Sequence, residues 1–109
     1  MVTVQLGEPV TFTCVLPDGG DSARKLKWYK QRAGDTPKLI VILRKGMNPV
    51  HGPGFSAQKL SAVFDEKKSS LTIVRTSKED EGMYLCAVTD WTEDIWSGTY
   101  LSLKGNHVF

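Results

Sequence analysis

The sequence predicts an all-β fold in which two antiparallel sheets pack as a sandwich. Short segments that alternate apolar and polar residues recur along the chain, separated by turn residues, as a series of strands requires. No segment shows a sustained helical period. Two cysteines, Cys14 and Cys86, lie far apart in two of the alternating segments. Together these observations favour strands on two facing sheets.

The strands of the first half follow from this alternation. Residues 10–16 place Val, Phe, Cys and Leu at every second position, which predicts a strand with one apolar face. Residues 26–29 alternate Leu and Trp with Lys and Tyr and predict the next strand. The segment "RAGDTP" at 32–37 has the composition of a turn, and "KLIVIL" at 38–43 predicts a strand that is apolar on both faces.

The second half continues the series. The segment "MNPVHGPGF" at 47–55 predicts a loop with at most an edge strand, because proline removes a backbone donor from the ladder. Three more strands are predicted around Leu71 and Ile73, across 84–88 and across 99–103. Regularly spaced short strands with polar turns are typical of a β-sandwich.

Composition excludes several classes of protein. A chain of 109 residues supports one domain with a single modest core. The net charge of +2, from 14 Lys and Arg against 12 Asp and Glu, is too balanced to predict a nucleic-acid or membrane surface. No apolar run approaches the roughly 20 residues of a membrane span.

The two cysteines predict a disulfide, because each shares the inward face of an alternating strand. The alternative, a reactive thiol, lacks a CxxC motif or a nearby histidine. Closing so long a loop stabilises a fold by roughly 4 kcal/mol in the chain-entropy model. A disulfide also implies an oxidising compartment.

No motif in the sequence predicts an enzyme. There is no GxSxG motif, no glycine-rich phosphate loop and no cluster with metal-ligand spacing. The paired acids Asp18 with Asp21, and Glu93 with Asp94, are interpreted as solvated turn residues. We therefore predict a binding function without catalytic residues, metal or cofactor.

Four segments, "GEPVTFTC", "WYKQRAGDTPKLI", "SSLTI" and "EDEGMYLCAV", give the chain a resemblance to the variable-type immunoglobulin domain. The resemblance covers residues 1–105 and leaves 106–109 as a C-terminal stalk or cloning remnant. It implies that Trp28 packs on the disulfide and that the Tyr84 hydroxyl ties back to the preceding turn. It also implies a structural salt bridge between Lys59, where the family usually carries Arg, and Asp80.

Within the variable set, "SGTYLSLKG" at 97–105 resembles the novel immune-type receptors of bony fish. Antibody and T-cell-receptor chains carry Phe-Gly-x-Gly there, whereas Ile95, Trp96 and Ser97 precede a single Gly98. The resemblance implies the ectodomain of a type I membrane receptor on cytotoxic lymphocytes, which recognises a target-cell protein. An antibody or T-cell-receptor variable chain, and an adhesion or co-receptor domain that uses its outer sheet face, remain alternatives.

Three connections cluster at one end of the variable fold and predict a ligand-binding surface. Here they are 17–25, 44–51 and 89–96. Basic side chains in the first two would flank an acidic, aromatic third, and Trp and Arg are enriched among residues that dominate binding energy. The predicted ligand contacts are Arg24, Lys25, Arg44, Lys45, Asp90, Trp91, Glu93 and Asp94.

A second candidate surface is the outer face of one sheet. If Trp28 points inward, Tyr29 and Gln31 point outward from the same strand, towards an apolar patch. The resemblance implies that variable domains pair here through Tyr29, Gln31, Pro37, Leu39 and Leu85, in a possible homodimer with Gln31 bonded to its symmetry mate. Cover by flanking loops is the alternative. For Trp96, packing on the core edge and contact with a partner are both open.

Overall fold

The computed structural model describes residues 1–16, 25–65, 67–89 and 94–105, with the backbone alone at 94 and 95. Residues 106–109, the predicted stalk or remnant, lie outside this part. The described residues form nine strands and one 3₁₀ turn, Lys78–Asp80. The strands are β1 Val2–Gln5, β2 Val10–Val15, β3 Lys25–Gln31, β4 Lys38–Arg44, β5 Val50–His51, β6 Leu60–Phe64, β7 Lys68–Ile73, β8 Gly82–Thr89 and β9 Asp94–Lys104.

The strands form two sheets, which confirms the predicted sandwich. The larger sheet has the order β1-β9-β8-β3-β4-β5 and the smaller has the order β2-β7-β6. Strand β1 runs parallel to β9, and the other described pairs are antiparallel. Alternation placed the start of β9 at Thr99 instead of Asp94.

The core fills the space between the inward faces of the two sheets. On β2, Val10, Phe12 and Cys14 are buried while Thr11 and Thr13 are exposed, as the alternation predicts. Antiparallel pairing of β2 with β7 aligns these residues with the buried Ser69, Leu71 and Ile73. Period-two alternation therefore sends each strand's apolar set to one interior.

A disulfide between Cys14 and Cys86 crosses this core and confirms the predicted pairing, with the two Cα atoms 6.3 Å apart. Trp28 lies opposite Cys86 in the β3–β8 register, and its Nε1 donates a hydrogen bond to Ser69 Oγ at 3.1 Å. Nearby, the rings of Phe12 and Tyr84 stack with centroids 4.6 Å apart. These contacts join the centre of the large sheet to the small sheet.

Polar contacts close the lower end of the sandwich around the buried Asp80. Its carboxylate accepts hydrogen bonds from the Ser77 backbone N–H at 2.7 Å and from Lys59 Nζ at 2.8 Å. The Tyr84 hydroxyl donates to the Asp80 carbonyl oxygen at 2.7 Å. Burial, and then the Asp80 charge, raise the pKa of Tyr84, so the hydroxyl stays a donor. The Lys59–Asp80 pair thus holds the turn from which β8 starts.

Replacing both cysteines, Cys14→Ala with Cys86→Ala, is expected to lower the free energy of unfolding by roughly 4 kcal/mol. The reason is that the bond closes a sequence separation of 72 residues. Urea titration followed by tryptophan fluorescence measures the change. A double variant as stable as the parent would show that the sheets do not depend on this bond.

Asp80→Ala should cost about 2 kcal/mol, because it removes an ion pair and leaves the part-buried Ser77 N–H without its acceptor. Asp35→Ala is the matched control, since its 3.8 Å pair with Lys38 is exposed and should contribute less than about 1 kcal/mol. Equal losses in the two variants would contradict a structural role for Lys59–Asp80.

Candidate functional site

The outer face of the large sheet is organised in rows that run across its strands. Residues directly opposite each other in neighbouring strands share a face, so the registers define which outward side chains meet. The first row is Leu39–Tyr29–Leu85–Gly98, across β4, β3, β8 and β9. The second is Val50–Ile42–Lys27–Ala87–Trp96, and it begins on β5. The third, Gln31–Met83–Tyr100, lies below the first.

Most members of these rows are apolar or aromatic. Val50 is 61%, Trp96 51% and Tyr100 38% exposed, while Tyr29, Leu39, Ile42 and Leu85 are half-buried. Ala87 lies on the outer side of β8, yet it is buried. Its neighbours in the same row are Lys27 and Trp96, whose side chains are longer.

The Trp96 indole packs on this outer face and not into the core edge. Its ring centroid lies 5.4 Å from that of Tyr29, with the planes tilted by 32°. Half of the side chain remains open to solvent. Such an aromatic pair adds about 0.5 to 1.5 kcal/mol beyond its buried area, so it gives the face a fixed centre.

Gly98 lies beneath that centre, directly opposite Leu85. A Cβ at this position would lie 2.7 Å from Leu85 Cδ2 and 3.3 Å from Met83 Sδ. The absence of a side chain therefore lets both neighbours lie flat across the sheet. Gly98, the single glycine retained from the Phe-Gly-x-Gly pattern, thus sets the shape of the outer face.

A β-bulge decides which residues of β4 belong to the face. The β3–β4 register shifts between Trp28 and Tyr29. As a result Ile40 and Val41 are both fully buried, and Leu39 and Ile42 both lie on the outer side. Alternation counted from Leu39 does not select Ile42, which is why the sequence prediction missed it.

The predicted pairing residues lie together on this face or beside it. Tyr29, Leu39 and Leu85 share one row, and Gln31 lies in the next. Gln31 Nε2 donates to the Asp35 carbonyl oxygen at 3.1 Å, which ties its amide to the β3–β4 turn. Pro37 is exposed at the end of that turn.

The predicted loop surface is only partly described. Arg24, Asp90, Trp91 and Glu93 lie outside the described residues, and of Asp94 only the backbone is described. Lys45 is exposed in the turn after β4, and Arg44 is the last residue of β4. The predicted loop boundaries are too wide, because Lys25 belongs to β3, Arg44 to β4, Thr89 to β8 and residues 94–96 to β9, and the segment 44–51 contains β5. Thr89, the last residue of β8, pairs with Asp94, the first residue of β9, so the two strands stay paired up to the connection between them.

Basic side chains collect where the outer face meets the loop end. Lys25 lies opposite Arg44, and Lys27 follows on the same side of β3. The positive charges of Arg44 and Lys27, in that order, lower the pKa of Lys25. These three residues share one side of two paired strands, and we call them the basic edge (Lys25, Lys27, Arg44).

We next consider cavities and metal-ligating side chains in the described part of the chain. A small open depression of ≈ 110 Å³ is lined by Ile42, Arg44, Met47, Asn48 and Val50. Small-molecule sites usually have about 300 to 1,000 Å³, so the depression is smaller than a typical ligand site. In the described part of the chain, no three His, Cys, Asp or Glu side chains are placed to hold a metal ion.

Comparison with known proteins identifies the family. The profile of the "Immunoglobulin V-set domain" matches residues 1–103. The chain belongs to the immunoglobulin V-set family. This is a recognition fold and not an enzyme family. Human T cell receptor alpha variable 34 is 35% identical over 85 residues, which cover 76% of this V-set domain and 69% of that protein. The human immunoglobulin iota chain is 32% identical over 88 residues, 76% and 59% of the two chains.

Solved structures show the same fold. A swine CD8aa homodimer matches with a TM-score of 0.85 at 21% identity, covering 95% of this chain and 92% of that one. A chain from a study of T cell specificity and activation by toxic shock syndrome toxin-1 matches with a TM-score of 0.83 at 24% identity, covering 94% and 92%. Domains of the T-cell-receptor relatives are extracellular. None of the described segments of this V-set domain forms a helix able to cross a membrane.

Gly98→Ala is expected to displace the Leu85 side chain while the free energy of unfolding changes by less than about 1 kcal/mol. The clash involves the far end of a flexible side chain and not backbone. Methyl NMR measures the displacement of Leu85. The Leu85 methyl resonances should shift, and those of Leu103 in the core should not. Unmoved Leu85 resonances would contradict the role given to Gly98.

Proposed function

We propose that this V-set domain is the ligand-recognising extracellular domain of an innate immune receptor on cytotoxic lymphocytes. Membership of a family that includes T-cell-receptor variable chains supports an extracellular recognition role. The departure from Phe-Gly-x-Gly at 95–98, with its resemblance to novel immune-type receptors, supports a receptor encoded without rearrangement. Segments outside this chain would anchor it as a type I membrane protein and carry the signal.

The observation that carries the proposal is the apolar outer face. A solvated face of an antiparallel sheet normally carries polar side chains. Here Trp96, Tyr100 and Val50 are exposed beside the half-buried Tyr29 and Leu85. Contiguous exposed apolar patches mark interaction sites, so we expect a protein partner to cover this face.

The loop end extends the same surface. Arg44 and Lys25 form the outer row nearest to it, next to the row that contains Trp96. We propose that the target-cell protein is bound by the clustered connections, including Trp91, and that the outer face beside them holds a partner domain. An adhesion domain that uses the outer face alone is the second candidate, favoured by the exposure of Trp96.

Binding of the soluble domain, displayed as a multimer, to a panel of cell surfaces tests the proposal by flow cytometry. Trp91→Ala should weaken binding about 30-fold, because aromatic anchors at an interface centre commonly contribute about 2 kcal/mol or more. Val63→Ala is the matched control, since Val63 is 61% exposed on the opposite sheet and should have no effect.

Trp91→Ala in the same assay separates the two candidates. A loss with Trp91→Ala indicates recognition by the loop end, whereas a loss confined to Trp96→Ala and Tyr29→Ala indicates use of the outer face alone. Binding unchanged by all three variants would contradict the proposed function.

A further inference from the structure

The inward side of β9 is closed at one end and open at the other. Leu101 and Leu103 are buried, and Thr99, on the same side of the strand, is half-buried. Ser97 lies directly opposite Cys86, whose side chain points into the core, so the serine shares that inward side. Nevertheless Ser97 is exposed. Solvent therefore reaches the inward side of the sandwich at this point.

The sheet order explains the opening beside Ser97. The disulfide places β2 opposite β8, and the hydrogen bond from Trp28 to Ser69 places β7 opposite β3. Because β2 is an edge strand of the small sheet, β9 extends beyond that sheet. Strand β1 pairs with residues 101–104 of β9 and closes only that end. In the described part of the chain, neither β1 nor the small sheet therefore covers Ser97.

The opening leads to the disulfide. Ser97 Oγ lies 3.8 Å from Cys14 Sγ, at the distance of a weak hydrogen bond to sulfur. Cys14 is 4% and Cys86 1% exposed, so neither sulfur lies on the surface itself. A buried disulfide is normally inert, because an attacking thiol does not reach it. Here a small and exposed side chain borders Cys14 Sγ, which makes this sulfur the more accessible of the two.

We propose that Cys14–Cys86 is a site of thiol–disulfide exchange in the folded domain, entered beside Ser97, and that the co-reactant is a small dithiol. Its first thiolate attacks Cys14 Sγ and forms a new S–S bond, while the Cys86 sulfur leaves as a thiolate and takes a proton from water. The second thiolate of the reagent then attacks the reagent's own sulfur in the mixed disulfide. Cys14 leaves as a thiolate and is protonated in turn. Two electrons pass to the protein, and the dithiol ends as a disulfide.

Exchange at this site affects the whole sandwich. The bond is the one disulfide that the two cysteines of the chain allow, and it joins β2 to β8 across a sequence separation of 72 residues. Reduction therefore removes the covalent cross-link between the two sheets. Leu85 lies next to Cys86 on β8, so the centre of the outer face loses a fixed neighbour as well. The site would thus let a thiol reagent control the rigidity of the domain.

Reduction of the intact chain by dithiothreitol, without denaturant, tests the proposal. Samples are quenched with iodoacetamide, and mass spectrometry counts the alkylated cysteines over time. We expect the reduction rate to rise in proportion to the dithiothreitol concentration. The rate should stay within about twofold when about 1 M urea is added, whereas exchange that requires global unfolding would rise about fivefold or more, because urea increases the unfolded population.

Three variants test the opening itself. Ser97→Leu fills it and should slow reduction about tenfold or more, because access of the thiolate limits the exchange. Ser97→Ala keeps it open and should leave the rate within about twofold of the parent. Ser61→Leu is the matched control, since Ser61 is exposed on β6, the strand of the small sheet farthest from β2, and its rate should not change. Tryptophan fluorescence checks that each variant is folded.

The outcomes are distinct. A reduction rate that rises with urea as steeply as the unfolded population overturns the proposal on the parent chain alone, even if a variant fails to fold. A folded Ser97→Leu variant that is reduced at the parent's rate overturns it as well. The same holds if Ser61→Leu or Ser97→Ala slows reduction as much as Ser97→Leu does, since neither fills the opening. The cell-binding assay tests the proposed function separately, because this proposal does not depend on what the domain binds.

Discussion

The Cys14–Cys86 bond and the packing of Trp28 beside it are the constraint on which the rest of the structure depends. Cys86 lies inward on β8, between β3 and β9 in the large sheet. Because side chains alternate along a strand, an inward Cys86 requires an outward Leu85. The pairs of Leu85 with Tyr29 and with Gly98 then place the central row of the outer face. The interior of the domain therefore decides the composition of its exterior.

The outer face shows how a packed sandwich supports an adhesive surface. Its apolar side chains lie on strands that also supply buried core residues such as Leu26, Trp28 and Leu101, so the surface is held by the core and not by loops. Gly98 lets Leu85 and Met83 lie flat, and the contact between Tyr29 and Trp96 orders the two largest rings. A rigid apolar surface loses little side-chain entropy on binding, which favours affinity.

The basic edge places positive charge at one end of the outer face. Apolar contact is non-directional and would accept many partners, including a second copy. Lys25, Lys27 and Arg44 lie at the end of the face next to the loop connections, and the register places Asp94 in the same row as Lys25 and Arg44. In protein interfaces generally, charged groups at the border of an apolar patch contribute more to selectivity than to affinity.

The sequence by itself determined the fold, the disulfide and the separation of inward from outward residues, because these depend on a period of two that is visible along each strand. The family followed from the residues around the two cysteines and Trp28. Only the tertiary structure decided where β9 begins, on which side Trp96 packs and which of the β4 residues face outward. Each depends on pairing between strands distant in sequence. The ladder of β8 extends β9 back to Asp94, and the bulge beside Tyr29 moves Ile42 onto the outer face. The opposition of Lys25 and Arg44 has the same origin, since no pattern along either strand reveals which charges the register brings together.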